Sequence, residues 1–451
     1  MANKVLNLFK TAFAAALLCA AQQVFAILPI EQWQTSSGAK VLFVANRDLP
    51  MLDVSVDFPA GSGYDTKAKA GVAAMTNGLL RLGADGLGED DIARRFADIG
   101  AGLGGRFDTD RAGLSLRTLS DPQQRVPALD LLTRILRAPE FPAAVLNREK
   151  TRQIGALKEA DLKPDSQAGR MFYQLAFGEH PYALRGVGEV DTVGAMTRDD
   201  LLAFYRQHYV AERAVVAIMG DVSRSEAEAI AEQLTRGLPR AKGAAAALPP
   251  VLPLERAITR VVAHPAAQSH ILIGAPGISR SDPDYFPLFV GNQILGGGGF
   301  VSRINEEVRQ KRGLAYSAYS YFSPQQVPGP FVIGMQTRRD QADEALAVVR
   351  KTLRDFVSNG PTEKELLAAR QNIVGGFPMR IDSNRKIHEY LAMIGFYNMP
   401  INYLDAFVAN VERVTVADIK AAFAKHVDPD KLVTVVVGAD KDQTVTAPAA
   451  R

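Results

Sequence analysis

The strongest constraint on the fold is a pattern that occurs twice, once in each half of the 451-residue chain. Residues 196–221 read MTRDDLLAFYRQHYVAERAVVAIMGD, and residues 414–440 read VTVADIKAAFAKHVDPDKLVTVVVGAD. In each copy a threonine, Thr197 or Thr415, is followed three residues later by an aspartate, as in a helix N-cap with an acid at the third helical position. An amphipathic helix, a short break, an apolar strand and a glycine then follow in the same order. The repeat predicts that the chain contains two copies of one design.

The periodicity of apolar residues within each half is mixed. Residues 52–58 alternate between apolar and polar side chains, as in a half-buried strand, and residues 113–117 do the same. Helical spacing of apolar residues occupies four longer segments: 91–99, 126–136, 143–162 and 342–357. Because strands and helices interleave without strict alternation, we predict an α+β fold of two homologous lobes. Each lobe should have a largely antiparallel or mixed sheet with helices packed on one face.

The boundary between the lobes is predicted from composition. Residues 240–255 read RAKGAAAALPPVLPLE, a run of alanines and prolines that is typical of a linker. We therefore place the N-terminal lobe at 27–239, the C-terminal lobe at 256–446 and a short tail at 447–451.

The first 26 residues are predicted to be a cleaved secretory signal peptide. Lys4 and Lys10 precede or flank an apolar stretch at 11–21, and small residues at 24–26 suit cleavage. Cys19 is the only cysteine, so the mature chain would have none, which suits the periplasm of a Gram-negative bacterium. No later segment has about 18 uninterrupted apolar residues, so we expect no stable membrane insertion.

Several kinds of chemistry are disfavoured. Lys and Arg number 52 and Asp and Glu 49, so the net charge of +3 argues against nucleic-acid binding by phosphate neutralisation. None of the six histidines lies in a His-x-x-x-His or His-x-x-Glu-His pair, and Gly-x-Ser-x-Gly does not occur. Gly100, Gly102 and Gly105 follow a helical segment and enter a strand, the reverse of a dinucleotide site. His208 and His426 fall at matching helix ends, where a positive imidazolium would suit the helix dipole, so we predict structural roles for both.

The segment 296–322, GGGGFVSRINEEVRQKRGLAYSAYSYF, is the most informative one. Residues 302–312 have helical spacing, Gly313 breaks the helix, and residues 316–321 resume as a strand. Arg309 and Tyr316 then lie on either side of one turn, where a guanidinium and a phenol could both hold a peptide carbonyl or carboxylate. From spacing alone, a capping arginine and a core tyrosine remain the simpler interpretation.

This same segment strongly resembles the second-half signature of the pitrilysin family of zinc peptidases, which includes insulin-degrading enzyme and the mitochondrial processing peptidase. The resemblance extends over both halves and includes GEHPYALRGVGEVDTV, residues 178–193. It implies two similar α+β lobes that form part of a clamshell over a peptide chamber. It also implies that Arg309 and Tyr316 bind the substrate backbone from the lobe opposite the metal.

The chain departs from the family pattern at the metal. Active members carry His-x-x-Glu-His on the helix after the second strand, and here that helix reads GVAAMTNGLLRLG from Gly71. The resemblance places the first histidine at Ala74, the catalytic glutamate at Asn77 and the second histidine at Gly78, with the third ligand near Gly155. A catalytic zinc site needs three protein ligands and an activated water, which these residues do not supply. We therefore expect no catalytic residue and no bound zinc in this chain.

The expected function follows from the resemblance and the departure together. Some family members are heterodimers in which one subunit carries zinc and the other the arginine–tyrosine pair. We expect the chain to be a non-catalytic, substrate-positioning subunit of a periplasmic zinc peptidase, with a zinc-bearing subunit and a peptide or unfolded polypeptide as its partners. Two alternatives stay open: a stand-alone peptide-binding or scaffold protein, and an active metallopeptidase with unusual ligands.

Overall fold

The structure is a computed structural model that describes residues 29–244 and 247–446. The predicted signal peptide at 1–26 and the tail at 447–451 lie outside these residues. Two six-stranded sheets form the framework, with strands numbered in chain order. The first sheet contains, in spatial order, β1 (Glu31–Gln34), β2 (Lys40–Ala45), β8 (Val215–Gly220), β3 (Met51–Phe58), β7 (Ala112–Leu119) and β6 (Gly102–Phe107). The second contains β14 (Gln443–Thr446), β9 (Ile258–Ala263), β13 (Val433–Ala439), β10 (Gln268–Pro276), β12 (Pro330–Arg338) and β11 (Ala315–Phe322).

The two sheets share one topology, which confirms the predicted α+β fold of two homologous lobes. In each, the strand that follows the threonine-capped helix pairs parallel with the first long strand of the half: β8 with β2, and β13 with β9. The other neighbours pair antiparallel. The edge strands next to β2 and β9 come from different ends of their halves. Strand β1 precedes the other strands of its sheet in the chain, whereas β14 follows them. A short hairpin of β4 (Gly83–Ala84) and β5 (Leu87–Gly88) lies outside both sheets.

Among the described residues, the first half contains eight α-helices. Their apolar residues cover the sheet of the first half or pack against the second lobe. The helices are α1 (Val72–Leu79), α2 (Glu89–Asp98), α3 (Pro122–Arg137), α4 (Ala143–Ala160), α5 (Pro164–Phe177), α6 (Val190–Ala195), α7 (Arg198–His208) and α8 (Arg224–Thr235). The core beneath them is apolar and includes Val54, Val56, Leu114 and Ile218, all of which are buried. Helix α7 begins as predicted: Thr197 Oγ1 accepts from the Asp200 N–H, and Asp200 Oδ2 accepts from the Thr197 N–H.

The helices of the second half form a similar layer. They are α9 (Tyr285–Asn292), α10 (Arg303–Asn305), α11 (Ala342–Asn359), α12 (Glu363–Gly376), α13 (Asn384–Phe396), α14 (Tyr403–Arg413) and α15 (Val416–His426). Two π-helical turns, Gln293–Gly297 and Glu306–Gln310, lie in this half, and the second interrupts the helix predicted at 302–312. Gly296 lies against strand β11, where a Cβ would be 2.4 Å from Ser320 Oγ. Only a residue without a Cβ permits this close approach.

Each half also sends one helix to the sheet of the other. Helix α5 packs against β10 and β13 of the second sheet, where Phe172 is buried beside Val433 and Val435. Helix α13 packs against β8, β3 and β2 of the first sheet. Each sheet therefore has a helix on its second face in addition to the predicted layer on the first. The domain boundaries proposed from composition stay a prediction.

Asp110 lies at the junction between the lobes and is buried. Its carboxylate accepts from the phenols of Tyr182, at 2.6 Å, and Tyr397, at 2.8 Å. The Gln326 N–H donates to the same carboxylate at 2.8 Å. Tyr397 and Gln326 belong to the second half, so this one side chain fixes both lobes in a single arrangement. In the described part of the chain, no helix combines the length and the apolar character that crossing a membrane requires.

Candidate functional site

Helix α1 carries three of the four predicted degenerate zinc-site positions. Hydrogen bonds to a buried carboxylate fix the start of this helix. Asp65 Oδ2 accepts from the Gly71 N–H at 2.7 Å and Oδ1 from the Ala73 N–H at 3.0 Å. Burial raises the pKa of Asp65 to about 7, although these two backbone N–H groups act to lower it. Gly71 has a φ of +90°, and a Cβ there would lie 2.8 Å from the backbone of Gly188. The motif at 178–193 therefore packs directly against the start of this helix.

Ala74 and Gly78 open onto one cavity of about 340 Å³ between α1 and α4. They lie one turn apart on the same face of the helix, as the family spacing requires of two metal ligands. Neither has a side-chain donor atom, and a Cβ on Gly78 would have no atom within 4 Å. The cavity exists because these small residues leave its wall empty.

The carboxylate that faces this cavity from α4 is Glu149, a residue absent from the sequence prediction. Arg152 Nε donates to Glu149 Oε2 at 2.7 Å, and Arg148 Nε donates to Oε1 at 3.0 Å. Burial acts to raise the pKa of Glu149, but these arginines bring it below its usual value. Both carboxylate oxygens are thus bound to cations of the protein.

The predicted third-ligand position, Gly155, is not among the residues that line the cavity. A Cβ on Gly155 would have no atom within 4 Å. Glu149, Arg152 and Gln153 share the helix face that meets the cavity, which the i, i+3, i+4 periodicity explains. That periodicity is the signal that could have identified Glu149.

Asn77 lies on the other side of helix α1 and is buried. Its Nδ2 donates to the Arg106 carbonyl of strand β6 at 2.9 Å, and its Oδ1 accepts from the Tyr209 phenol at 3.2 Å. The amide therefore joins the helix to the edge strand and to the core. An amide cannot act as a carboxylate base, so Asn77 has a structural explanation only.

These residues do not fit a catalytic zinc ion. Ala74 and Gly78 offer no ligand atom, and the two carboxylates that line the cavity are already paired with arginines, Glu149 with Arg148 and Arg152 and Glu89 with Arg148. A three-ligand site with an activated water cannot be assembled from this set.

Arg309 and Tyr316 lie at the outer edge of the second sheet. Tyr316 is 85% exposed and occupies a bulge, because Ala315 pairs with Thr337 while Ser317 pairs with Gln336. Arg309 is the next-to-last residue of the π-helical turn Glu306–Gln310, and its guanidinium carbon lies 4.3 Å from the ring centre of Phe300. No hydrogen bond joins the two side chains, and the core position considered for Tyr316 is wrong. Both groups are presented beside β11, which has a strand neighbour on one side only among the described residues.

The histidines at helix ends behave differently from each other. Burial lowers the pKa of His208 to about 4, so its imidazole is neutral at pH 7 and the predicted imidazolium is wrong there. His208 Nδ1 lies 3.2 Å from the Pro59 carbonyl. His426 Nε2 lies 2.8 Å from Asp284 Oδ2, which also accepts from Lys425 Nζ at 2.7 Å.

The cluster around His426 has the side chains of a cation site, but its contacts link two helices. Asp282 is the third member, with Oδ1 3.7 Å from His426 Nε2. The Lys425 ammonium and the His426 imidazole both contact Asp284, so the cluster links the end of α15 to the start of α9.

A family profile described as "Peptidase M16 inactive domain" matches residues 195–373. The crystal structure of a peptidase M16 inactive domain from Pseudomonas fluorescens is similar with a TM-score of 0.88 and 38% identity, over 91% of this chain and 98% of that one. The non-peptidase homolog YmxG of Helicobacter pylori is 24% identical over 89% of this chain and 92% of its own length. The mitochondrial-processing peptidase subunit beta of Blastocladiella emersonii is 24% identical over 92% of this chain and 90% of its own length.

Proposed function

This chain belongs to the peptidase M16 family in its inactive form, and we propose that it holds peptide substrates for a zinc-bearing partner subunit. The family resemblance found in the sequence is thereby confirmed. The partner would supply the metal and the hydrolytic water, and this chain would close the chamber and position the peptide. We further propose that the complex acts in the periplasm, which is supported by the signal-like sequence of residues 1–26.

One observation carries the proposal: this chain lacks the metal ligands of a peptidase site but has the arginine and tyrosine that could hold a peptide. At the metal position, Ala74 and Gly78 lack ligand atoms and Glu149 is neutralised by arginines. At the edge of the second sheet, Tyr316 is exposed on β11 and Arg309 is half-buried against Phe300. A guanidinium and a phenol there can bind carbonyl groups of an extended peptide that adds to β11.

Heteromeric action has support from a relative. The similar protein of Blastocladiella emersonii is named as the beta subunit of a processing peptidase, so a chain of this type can work beside another subunit. Correct positioning of a bound peptide lowers the barrier to its hydrolysis even when the metal belongs to a partner. The stand-alone scaffold would show the same peptide binding but would not stimulate any zinc-bearing subunit.

The test is reconstitution with a zinc-bearing M16 subunit of the same organism and an assay of peptide hydrolysis. Arg309→Ala should lower turnover about tenfold or more, and Tyr316→Phe less, because each removes contacts to the peptide backbone. The zinc content of the complex should not change. Arg385→Ala is the matched control, since Arg385 is an exposed arginine of α13 whose closest acid is Glu389 at 3.7 Å.

Two results would contradict the proposal. One is a zinc-bearing subunit whose activity is unaffected by this chain, which would favour the scaffold. The other is a complex in which Arg309→Ala and Tyr316→Phe both retain full turnover, which would remove the assigned role from this pair.

A further inference from the structure

Two tyrosines of strand β11 lie on the face of the second sheet that carries helix α5. Tyr319 and Tyr321 are opposite Gly334 and Val332 of β12 in the antiparallel ladder, and directly opposite residues share a face. Val332 belongs to the buried cluster that includes Phe172 of α5. Helix α5 packs on β10 and β13, whereas Tyr319 is 42% and Tyr321 is 38% exposed. The outer edge of this face therefore presents two aromatic rings at the surface.

Packing fixes the orientation of these rings. The rings of Tyr319 and Tyr321 stack with their centres 6.0 Å apart and their planes at 15°. Tyr319 lies over Gly334, where a Cβ would be 2.4 Å from Tyr319 Cζ, so glycine leaves the room that the ring occupies. Burial raises the pKa of Tyr321, and the neighbouring phenols of Tyr173 on α5 and of Tyr319 raise it further. Tyr319, Tyr321 and Tyr173 thus form one tyrosine row.

The hydroxyl groups of the tyrosine row have no partner within the protein. In the part of the chain that the structure describes, no residue forms a hydrogen bond with any of these three phenols. By contrast, the phenols of Tyr182 and Tyr397 both donate to Asp110. Buried tyrosine hydroxyls usually find a partner, and tyrosines that combine an accessible ring with a free hydroxyl are enriched where proteins bind other molecules. The tyrosine row has the properties of such a binding surface.

The tyrosine row lies on the same strand as Tyr316, which is assigned above to the peptide backbone. A peptide that adds to the open edge of β11 would direct every second side chain to the face that carries the row. Two such side chains, at positions i and i+2, would lie beside Tyr319 and Tyr321, because directly opposite residues of neighbouring strands are about 5 Å apart. At that separation, aromatic rings attract each other.

We propose that the tyrosine row selects peptide segments with aromatic or large apolar side chains at alternate positions, i and i+2. The inference rests on the proposed peptide-holding function and adds a substrate class to it. Arg309 and Tyr316 would bind the backbone of any sequence, whereas Tyr319 and Tyr321 would determine which side chains are accepted. Alternation of apolar and polar residues is the pattern of a half-buried strand, so the preferred substrates are strand segments of unfolded proteins.

The test measures the binding of short fluorescent peptides to the full chain by anisotropy. The first peptide has two phenylalanines at positions i and i+2, and the second has the same composition with the phenylalanines at i and i+1. A third has serine at both positions. The second peptide should bind about fivefold more weakly than the first, because only one of its rings can face the row, and the third about 25-fold more weakly.

Substitutions connect this preference to the tyrosine row. The double change Tyr319→Ser and Tyr321→Ser should abolish the preference, and Tyr319→Phe with Tyr321→Phe should retain it because the rings remain. Gly334→Ala should reduce the preference by displacing the Tyr319 ring. Leu367→Ser, at an exposed leucine of α12, is the control and should change nothing.

The results separate this inference from the proposed function. Equal binding of the two phenylalanine peptides overturns selection by the row while leaving peptide holding intact, and so does a preference that survives the double serine change. Equal binding together with loss of assembly between the double serine variant and a zinc-bearing subunit would assign the row to the subunit contact and overturn the inference as well. Failure of every peptide to bind would overturn both proposals together.

Discussion

Single residues decide whether a charged group in this protein is available for chemistry. Glu149 has the carboxylate of a metal ligand, yet both of its oxygens are bound to arginines. His388 of α13 could bind a metal or a proton, but it is buried against the first sheet with Nε2 3.3 Å from the Ala217 carbonyl. Burial lowers the pKa of His388 to about 4, although Asp53 acts to raise it. Each group therefore serves the fold in its present protonation state.

His388 should make the folded state sensitive to acid. Its pKa in the fold, about 4, is below the value of about 6.5 in an unfolded chain, so the unfolded state binds the proton first as pH falls. Stability is therefore fully present above pH 6.5 and decreases towards pH 4, by as much as about 3 kcal/mol from this residue. Urea unfolding at a series of pH values should show a shallower loss for His388→Gln than for the native chain. Parallel curves for the two proteins would show that His388 is not the group responsible.

Among the helices, packing of α13 on the sheet of the other lobe determines which helical glycines tolerate a side chain. Gly395 of α13 lies against the first sheet, where a Cβ would be 2.5 Å from Leu42 Cδ1 and 2.6 Å from Val215 Cγ1. Gly375 of α12 is exposed, and a Cβ there would have no atom within 4 Å. Both glycines are helical, so only their packing differs.

The substitution Gly395→Leu should destabilise the protein by about 2 kcal/mol, because a packed interface must move to accept the side chain. Gly375→Leu is the matched control and should be neutral or stabilising by up to about 1 kcal/mol, since leucine favours a helix more than glycine does. Denaturant unfolding of both variants gives the comparison. Equal effects would mean that α13 does not pack on the first sheet in solution.

The elements differ in how far sequence could predict them. The caps at Thr197 and Thr415 are correct because a hydroxyl and an acid three residues later bond to backbone groups within the same turn. The exchange of α5 and α13 could not be predicted, since an apolar helix face is the same whichever sheet it covers. The family spacing placed Ala74 and Gly78 on one face of a helix, but the cavity beside them was not predicted. The arginine pairing of Glu149 depends on contacts between helices that no local pattern encodes.

In the whole molecule, the two lobes form one body, and among the described residues β6 and β11 are the corresponding edge strands of the two sheets. Asp110 ties the lobes through Tyr182, Tyr397 and Gln326, and each lobe contributes a helix to the sheet of the other. The chain therefore presents β6 and β11 in a fixed relation. In the proposed complex, opening of the peptide chamber would occur between this chain and the partner subunit.

The most direct test of this account is the metal content and peptidase activity of the purified full chain alone. We predict that dialysed protein retains no stoichiometric zinc and cleaves no unfolded peptide, and that hydrolysis begins only when a zinc-bearing subunit is added. Stoichiometric zinc in the isolated chain, together with peptide cleavage that a chelator abolishes, would contradict the account and show an active peptidase with unusual ligands.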